Sequence, residues 1–177
     1  MEWSLGTAER ANVTRSRCRP HDVRQQALGV TSLLMPRQIA NLGDVFWITL
    51  TDGSKALGQI VEINKEVLNS ITCAFFDERN EVPKDLSNPF SIQFVTKDLF
   101  TNGTWRRVSN RTVQVSKSLL PYRETMKDGW IGAEIIGSGN INTFISAFYG
   151  LRDWNEMYDD DYYQKLLLAG FQRYENT

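Results

Sequence analysis

The sequence predicts an α+β domain: mainly an antiparallel β-sheet, or a small twisted barrel, followed by two C-terminal helices. Two observations carry this. From Asp44 to Val115, runs rich in β-branched and aromatic residues alternate with turn pairs at the short spacing of a meander or small barrel. Beyond residue 140 the period changes: Ile141, Phe144, Ile145 and Phe148 recur at i, i+3, i+4 and i+7, the apolar face of a helix. Strands first and helices afterwards favour an antiparallel sheet over a wound parallel one.

Taken in order, the first expected strand is Asp44-Val-Phe-Trp-Ile-Thr-Leu50 and the second is Lys55-Ala-Leu-Gly-Gln-Ile-Val-Glu-Ile63. Asp52-Gly53 between them favours a type I′ hairpin, because glycine accepts positive φ without a steric penalty. A third strand, Ser70-Ile-Thr-Cys-Ala-Phe-Phe76, carries Cys73 as a small buried hydrophobe. The charged, proline-containing stretch from Asp77 to Pro89 reads as a surface loop. Ser91–Thr96 alternates again, Asn102-Gly103 marks a turn, and Thr104–Val108 and Arg111–Val115 continue the strand pattern. After these six or so short strands a last one is expected at Gly132–Ile136. Gly137-Ser138-Gly139-Asn140 then leads into the helix, with Ser138 or Asn140 as its cap and Gly150 ending it in the left-handed conformation. A second short helix is signalled by Asp159-Asp160-Asp161, a capping residue and two first-turn acids ahead of Tyr163, Leu166 and Leu167.

Residues 1–34 stand apart. They hold five arginines, no lysine and the sole histidine, His21, and show no sustained periodicity. They read as an N-terminal extension, either an expression leader or a gene start called too early, ahead of a single domain over residues 35–177.

Composition excludes several function classes. The 20 Lys and Arg nearly cancel the 21 Asp and Glu, so no overall charge draws the protein to nucleic acid or anionic lipid. One histidine cannot build a histidine-pair nuclease or a multi-histidine metal site. Two cysteines, Cys18 and Cys73, suit a reduced, cytoplasmic protein rather than a disulfide scaffold. No apolar stretch approaches the length of a membrane span. Gly137-Ser138-Gly139 lacks the lysine and spacing of a P-loop and the three spaced glycines of a dinucleotide fingerprint. No cofactor, no resident metal and no catalysis are expected.

The segment Gly150–Gln164 is the most informative part of the chain. It gathers Asp153, Glu156, Asp159, Asp160 and Asp161 against Arg152 alone, interleaved with Trp154, Tyr158, Tyr162 and Tyr163. In one reading the acids cap a helix and face water while the aromatics pack. A Ca²⁺ or Mg²⁺ site is a second reading, but the regular Asp-x-Asp-x-Asp-Gly loop with its closing glutamate is absent. A third is a partner-binding surface of Asp153, Trp154, Glu156, Tyr158, Asp159, Asp160 and Asp161, since tyrosine and tryptophan carry interface energy and carboxylates speed encounter with a basic partner. Whether Trp154 and Tyr158 serve a partner or the domain's own core is open at this level. A different class of function, a small-barrel module reading nucleic acid or peptide, would use Arg106, Arg107 and Arg111 beside Trp105. An isolated basic edge strand is more often a guard against edge-to-edge pairing.

The order of these motifs resembles a family. Gly43-Asp-Val-Phe-Trp-Ile-Thr-Leu50, Asp52-Gly53, Gly58-Gln-Ile-Val61, Gly103-Thr-Trp105 and Ala147-Phe-Tyr-Gly-Leu-Arg-Asp-Trp154, followed by Tyr158 and Tyr162-Tyr163, are similar to the bacterial immunity protein 26 family over about residues 40–168. Residues 1–34 match nothing in it. The resemblance implies a mainly β domain without catalysis that binds and neutralises a cognate polymorphic toxin, nucleases among the candidate toxins. The expected partner is the toxin's C-terminal domain, with no direct nucleic-acid binding and no membrane.

Overall fold

The computed structural model describes residues 37–175 apart from Leu68; the N-terminal extension read over residues 1–34 lies outside them. Five strands, β1 (Asp44–Thr49), β2 (Lys55–Glu62), β3 (Ser70–Arg79), β4 (Pro89–Thr96) and β5 (Arg106–Asn110), form one antiparallel sheet in the order β4-β3-β2-β1-β5. The first four are a meander, each hydrogen-bonded to its sequence neighbour. The chain then passes through a one-turn helix, α1 (Asp98–Thr101), to reach the opposite edge, where β5 pairs with β1. Because β4 and β5 are the two edges and do not pair, the sheet is open and the α+β alternative is realised without a closed barrel.

Alternation along the strands sends side chains to two cores, one on each face. Phe46, Ile48, Leu50, Ile60, Ile71, Cys73 and Phe75 point to the first, which is roofed by α3 (Ser138–Phe148) and the chain that follows it. Val45, Leu57, Val61, Ala74, Phe76 and Ile92 point to the second, covered by Leu86 of the β3–β4 loop and by Val115 of the chain after β5. Gly58 faces the first core, where a Cβ would lie 2.5 Å from Cζ of Phe46. Its missing side chain lets the Phe46 ring lie flat on the strand and stack on Trp105 at 5.1 Å, with Phe100 edge-on at 5.5 Å.

Several local expectations are corrected. The β1–β2 loop is not type I′, which needs positive φ at both central residues; only Gly53 has it, at 82°. Leu50 instead accepts from Gly53 N–H and donates to Ser54 C=O, a three-residue loop with the glycine at its left-handed position. Asp52 contributes through its side chain, accepting from the backbone N–H of Ser54 at 2.9 Å. β3 runs three residues beyond Phe76, so the surface loop begins at Asn80 rather than Asp77. Arg111–Val115 forms no strand: it leaves the sheet edge and crosses the second face, its alternation serving to bury Val115 and half-bury Val113. Gly132–Ile136 contributes one residue, Ile136, in an isolated parallel bridge to Val95.

The cap position of α3 is Gly137, which has no side chain to cap with, and neither Ser138 nor Asn140 serves as the cap. Ser138 is buried, and its backbone N–H donates to Thr96 Oγ1 at 3.0 Å. Its end agrees with the expectation in detail. Gly150 N–H donates to Ala147 C=O and Leu151 N–H to Ser146 C=O, with Gly150 at φ 69°, the Schellman arrangement. Three short segments escaped the periodicity argument: α1, a 3-10 turn at Lys117–Leu119 and α2 (Arg123–Lys127). Each is a turn or so long, too short for a recurring stripe.

Candidate functional site

The acidic aromatic segment begins where Gly150 turns the chain off α3. Trp154, expected as a possible partner contact, is instead 7% exposed. Its ring packs 6.2 Å from Phe144 and 5.4 Å from Tyr163, and the Arg173 guanidinium lies 5.5 Å above it. The indole is an anchor for the segment, because so large an apolar surface gains more in the core than any exposed position offers. Tyr163 is the second anchor. It lies in the short helix α4 (Tyr162–Lys165), and its hydroxyl donates to Glu156 Oε1 at 2.8 Å while Arg152 donates to Glu156 Oε2 from Nε at 3.1 Å and from Nη2 at 2.8 Å. Burial and then this bond to a carboxylate push the Tyr163 hydroxyl well above the usual phenol range. Glu156 is thus occupied in holding the segment.

Asp153 accepts from Asn155 N–H at 3.0 Å in a tight turn. Asp159 does not cap α4 as expected; Asp161 occupies the cap position and its side chain makes no capping bond. The Asp159 carboxylate accepts from Lys165 Nζ at 2.7 Å and from Asp161 N–H at 3.1 Å, and these two donors, the lysine first, hold its pKa below the usual carboxylate value. Three side chains of the segment stay outside these contacts. Tyr158 is 99% exposed, and Asp160 and Asp161 are exposed with no side-chain hydrogen bond or salt bridge among the described residues.

Beside this segment lies a cleft of about 460 Å³. Tyr158, Tyr162 and Lys165 line one side; Tyr122, Thr125 and Glu134, from the strap 121–136 that carries α2, line the other. Sequence reasoning missed the strap. It is pinned to the sheet by Tyr122 and Trp130, which pack 5.2 and 5.7 Å from Phe94 and 5.3 Å from each other. Trp130 adopts a left-handed φ of 68° between Gly129 at 65° and an Ile131 that is 80% exposed. The available signal was an apolar Trp130-Ile131 pair between two glycines, which reads as a loop that nonetheless carries large apolar side chains.

The basic edge behaves differently from a nucleic-acid platform. Trp105 is fully buried against Phe46 and Phe75, its indole N–H donating to Asn142 Oδ1 at 3.2 Å, so it offers no face to a base. Arg107 reaches the buried Asp44 carboxylate at 3.5 Å, and Arg111 donates to the Pro83 carbonyl. Among the described residues no three of His, Cys, Asp and Glu converge as metal ligands, and no helix is long and apolar enough to cross a membrane.

No curated protein and no solved structure matches the chain. The family described as Immunity protein 26 does, over residues 41–130, which hold all five strands and α2. That match spans just over half of the 177 residues, runs through the whole sheet and ends on the strap, and the chain accordingly belongs to the immunity protein 26 family.

Proposed function

We propose that this immunity protein binds the C-terminal domain of a cognate polymorphic toxin in the cytoplasm of the cell that makes it, and neutralises the toxin by contact, without catalysis. Family membership supports a toxin as partner in general. The observation that carries the finer reading is the division of labour in residues 153–161: Trp154 and Glu156 are spent on anchoring, which leaves Tyr158, Asp160 and Asp161 presented on a fixed turn. Toxins that act on nucleic acid need basic clefts. Carboxylates held in place against such a cleft form charge-assisted hydrogen bonds on desolvation, at about 1.5 to 3 kcal/mol each. An aromatic ring beside them supplies apolar area at little cost in conformational entropy.

The test is co-production with the C-terminal domain of the protein encoded immediately upstream. The chain is expected to restore growth and to co-purify with that domain. Growth arrest that is unchanged in the presence of the folded chain would overturn the reading.

A further inference from the structure

On the reading that the chain binds a toxin domain, we infer that the docking surface is the cleft between the strap 121–136 and the Tyr158–Lys165 segment. Its occupant is a basic loop of the toxin that carries an apolar side chain.

The apolar half of the argument rests on what the fold leaves outside. Nine large apolar or aromatic residues are exposed among those described; Ile131 and Ile135 flank the strap residues Gly132, Ala133 and Glu134 that line the cleft, and Tyr158 stands on the opposite wall. Scattered exposed hydrophobes need no explanation, but a concentration of them on one face marks an interaction surface. The strap also holds Trp130 at φ 68°, a conformation that costs free energy for any bulky side chain and is sustained here by its stacking on Phe94 and Tyr122. That packing accounts for Trp130 but gives no reason for Ile131 beside it to be exposed.

The charged half concerns the lining. Among the described residues, Glu134 on the strap wall and Asp160 and Asp161 beyond Tyr158 enter no salt bridge, and the one cation lining the cleft, Lys165, is held by Asp159 at 2.7 Å. Arg123 and Lys127 border a separate hollow on the far side of Pro121. The cleft is thus apolar within, through Phe94, Ile136 and Leu166, and negative at Glu134 and at Asp160 and Asp161 just outside it, the complement of a Lys- or Arg-bearing loop with one apolar anchor.

The experiment measures affinity for the C-terminal domain of the upstream-encoded protein by titration calorimetry, using the full chain and variants checked for an unchanged melting transition. Ile131→Asp and Tyr158→Ala are each expected to weaken binding about 30-fold, as interface anchors do. The double reversal Glu134→Lys with Asp161→Lys is expected to weaken it about 100-fold, while Glu78→Lys near the end of β3 with Asp85→Lys in the β3–β4 loop, neither of them lining the cleft, leaves it within about threefold. Since all these side chains are on the surface, folding is not expected to confuse the result. Wild-type binding that survives every cleft variant would overturn the cleft and leave the toxin-binding reading standing. Absence of wild-type binding would overturn that reading and the cleft with it. Self-association of the chain alone, abolished by Ile131→Asp, would replace the toxin loop with a second copy of the chain as the occupant.

Discussion

The two faces of the sheet are covered in different ways, and their chemistry differs accordingly. On the first face the roof is helix α3, whose backbone satisfies its own hydrogen bonds, and the core beneath it is almost wholly apolar: stacked Phe46 and Trp105, and Phe90 on Phe148 at 3.9 Å. On the second face the cover is irregular chain, residues 80–88 and 111–122, which brings carbonyls and amides that no helix satisfies. Side chains supply the partners there. Buried Gln59 donates to Arg111 C=O at 3.1 Å, Gln114 accepts from Leu86 N–H at 2.9 Å, and Asn64, Thr72, Tyr122 and Glu62 form a chain of side-chain bonds. An apolar core can afford few polar groups under a helix but must contain them under a loop, because a buried backbone group left without a partner costs free energy comparable to a lost hydrogen bond.

The comparison can be broken most severely on the helix-covered face. Trp105→Ala is expected to cost about 3 to 5 kcal/mol in denaturant unfolding, a large share of what an ordinary domain possesses. A small loss would show that α3 and β5 are only loosely docked. Gly58→Ala tests the same face from the other direction, since the added methyl meets the Phe46 ring. Overpacking there is expected to cost about 2 to 3 kcal/mol, and a crystal structure of the variant should show Phe46 displaced from Trp105.

On the loop-covered face the signature is a polar one. Tyr122→Phe is expected to cost about 1 to 2 kcal/mol, because Thr72 and Glu62 lose a buried partner. It should also alter the alkaline limb of the stability profile. Burial, more than any neighbour, pushes the Tyr122 hydroxyl up to about 12, so the folded protein keeps a proton that the unfolded chain releases near pH 10. This contribution is fully present below pH 10 and is lost as pH rises towards 12. Unfolding midpoints measured across that range should fall less steeply for Tyr122→Phe than for the wild type.

The smallest effect belongs to neither core. Asp159→Asn removes an exposed pair with Lys165 and no helix cap, so the urea midpoint at neutral pH should barely move. Because the folded carboxyl is held below its usual value, its contribution is present above that value and is lost as pH falls through the folded pKa. Wild type and variant should therefore converge in acid. A pronounced loss at neutral pH would restore the capping role expected from the sequence.

Much of this architecture was legible in the chain itself. Strands β1 to β3 and helix α3 announce themselves because each has a period of its own, and because Gly150 can adopt a conformation that other residues resist. Burial of Cys73 followed from its place in an alternating run. Arg111–Val115 has the same alternation as a strand and is not one, since a strand exists only where a neighbour offers hydrogen bonds, and which segment lies beside which is settled by the assembled sheet. The candidate site divides along the same line. The sequence by itself determined that residues 153–161 would be acidic and aromatic, for these are properties of the side chains. Only the tertiary structure decided that Trp154 turns inward onto Phe144, that Glu156 is taken by Tyr163 and Arg152, and that a strap twenty or more residues earlier in the chain comes to face Tyr158 across a cleft. The direction of each of those side chains is set by contacts between segments distant in sequence, and no local pattern encodes them.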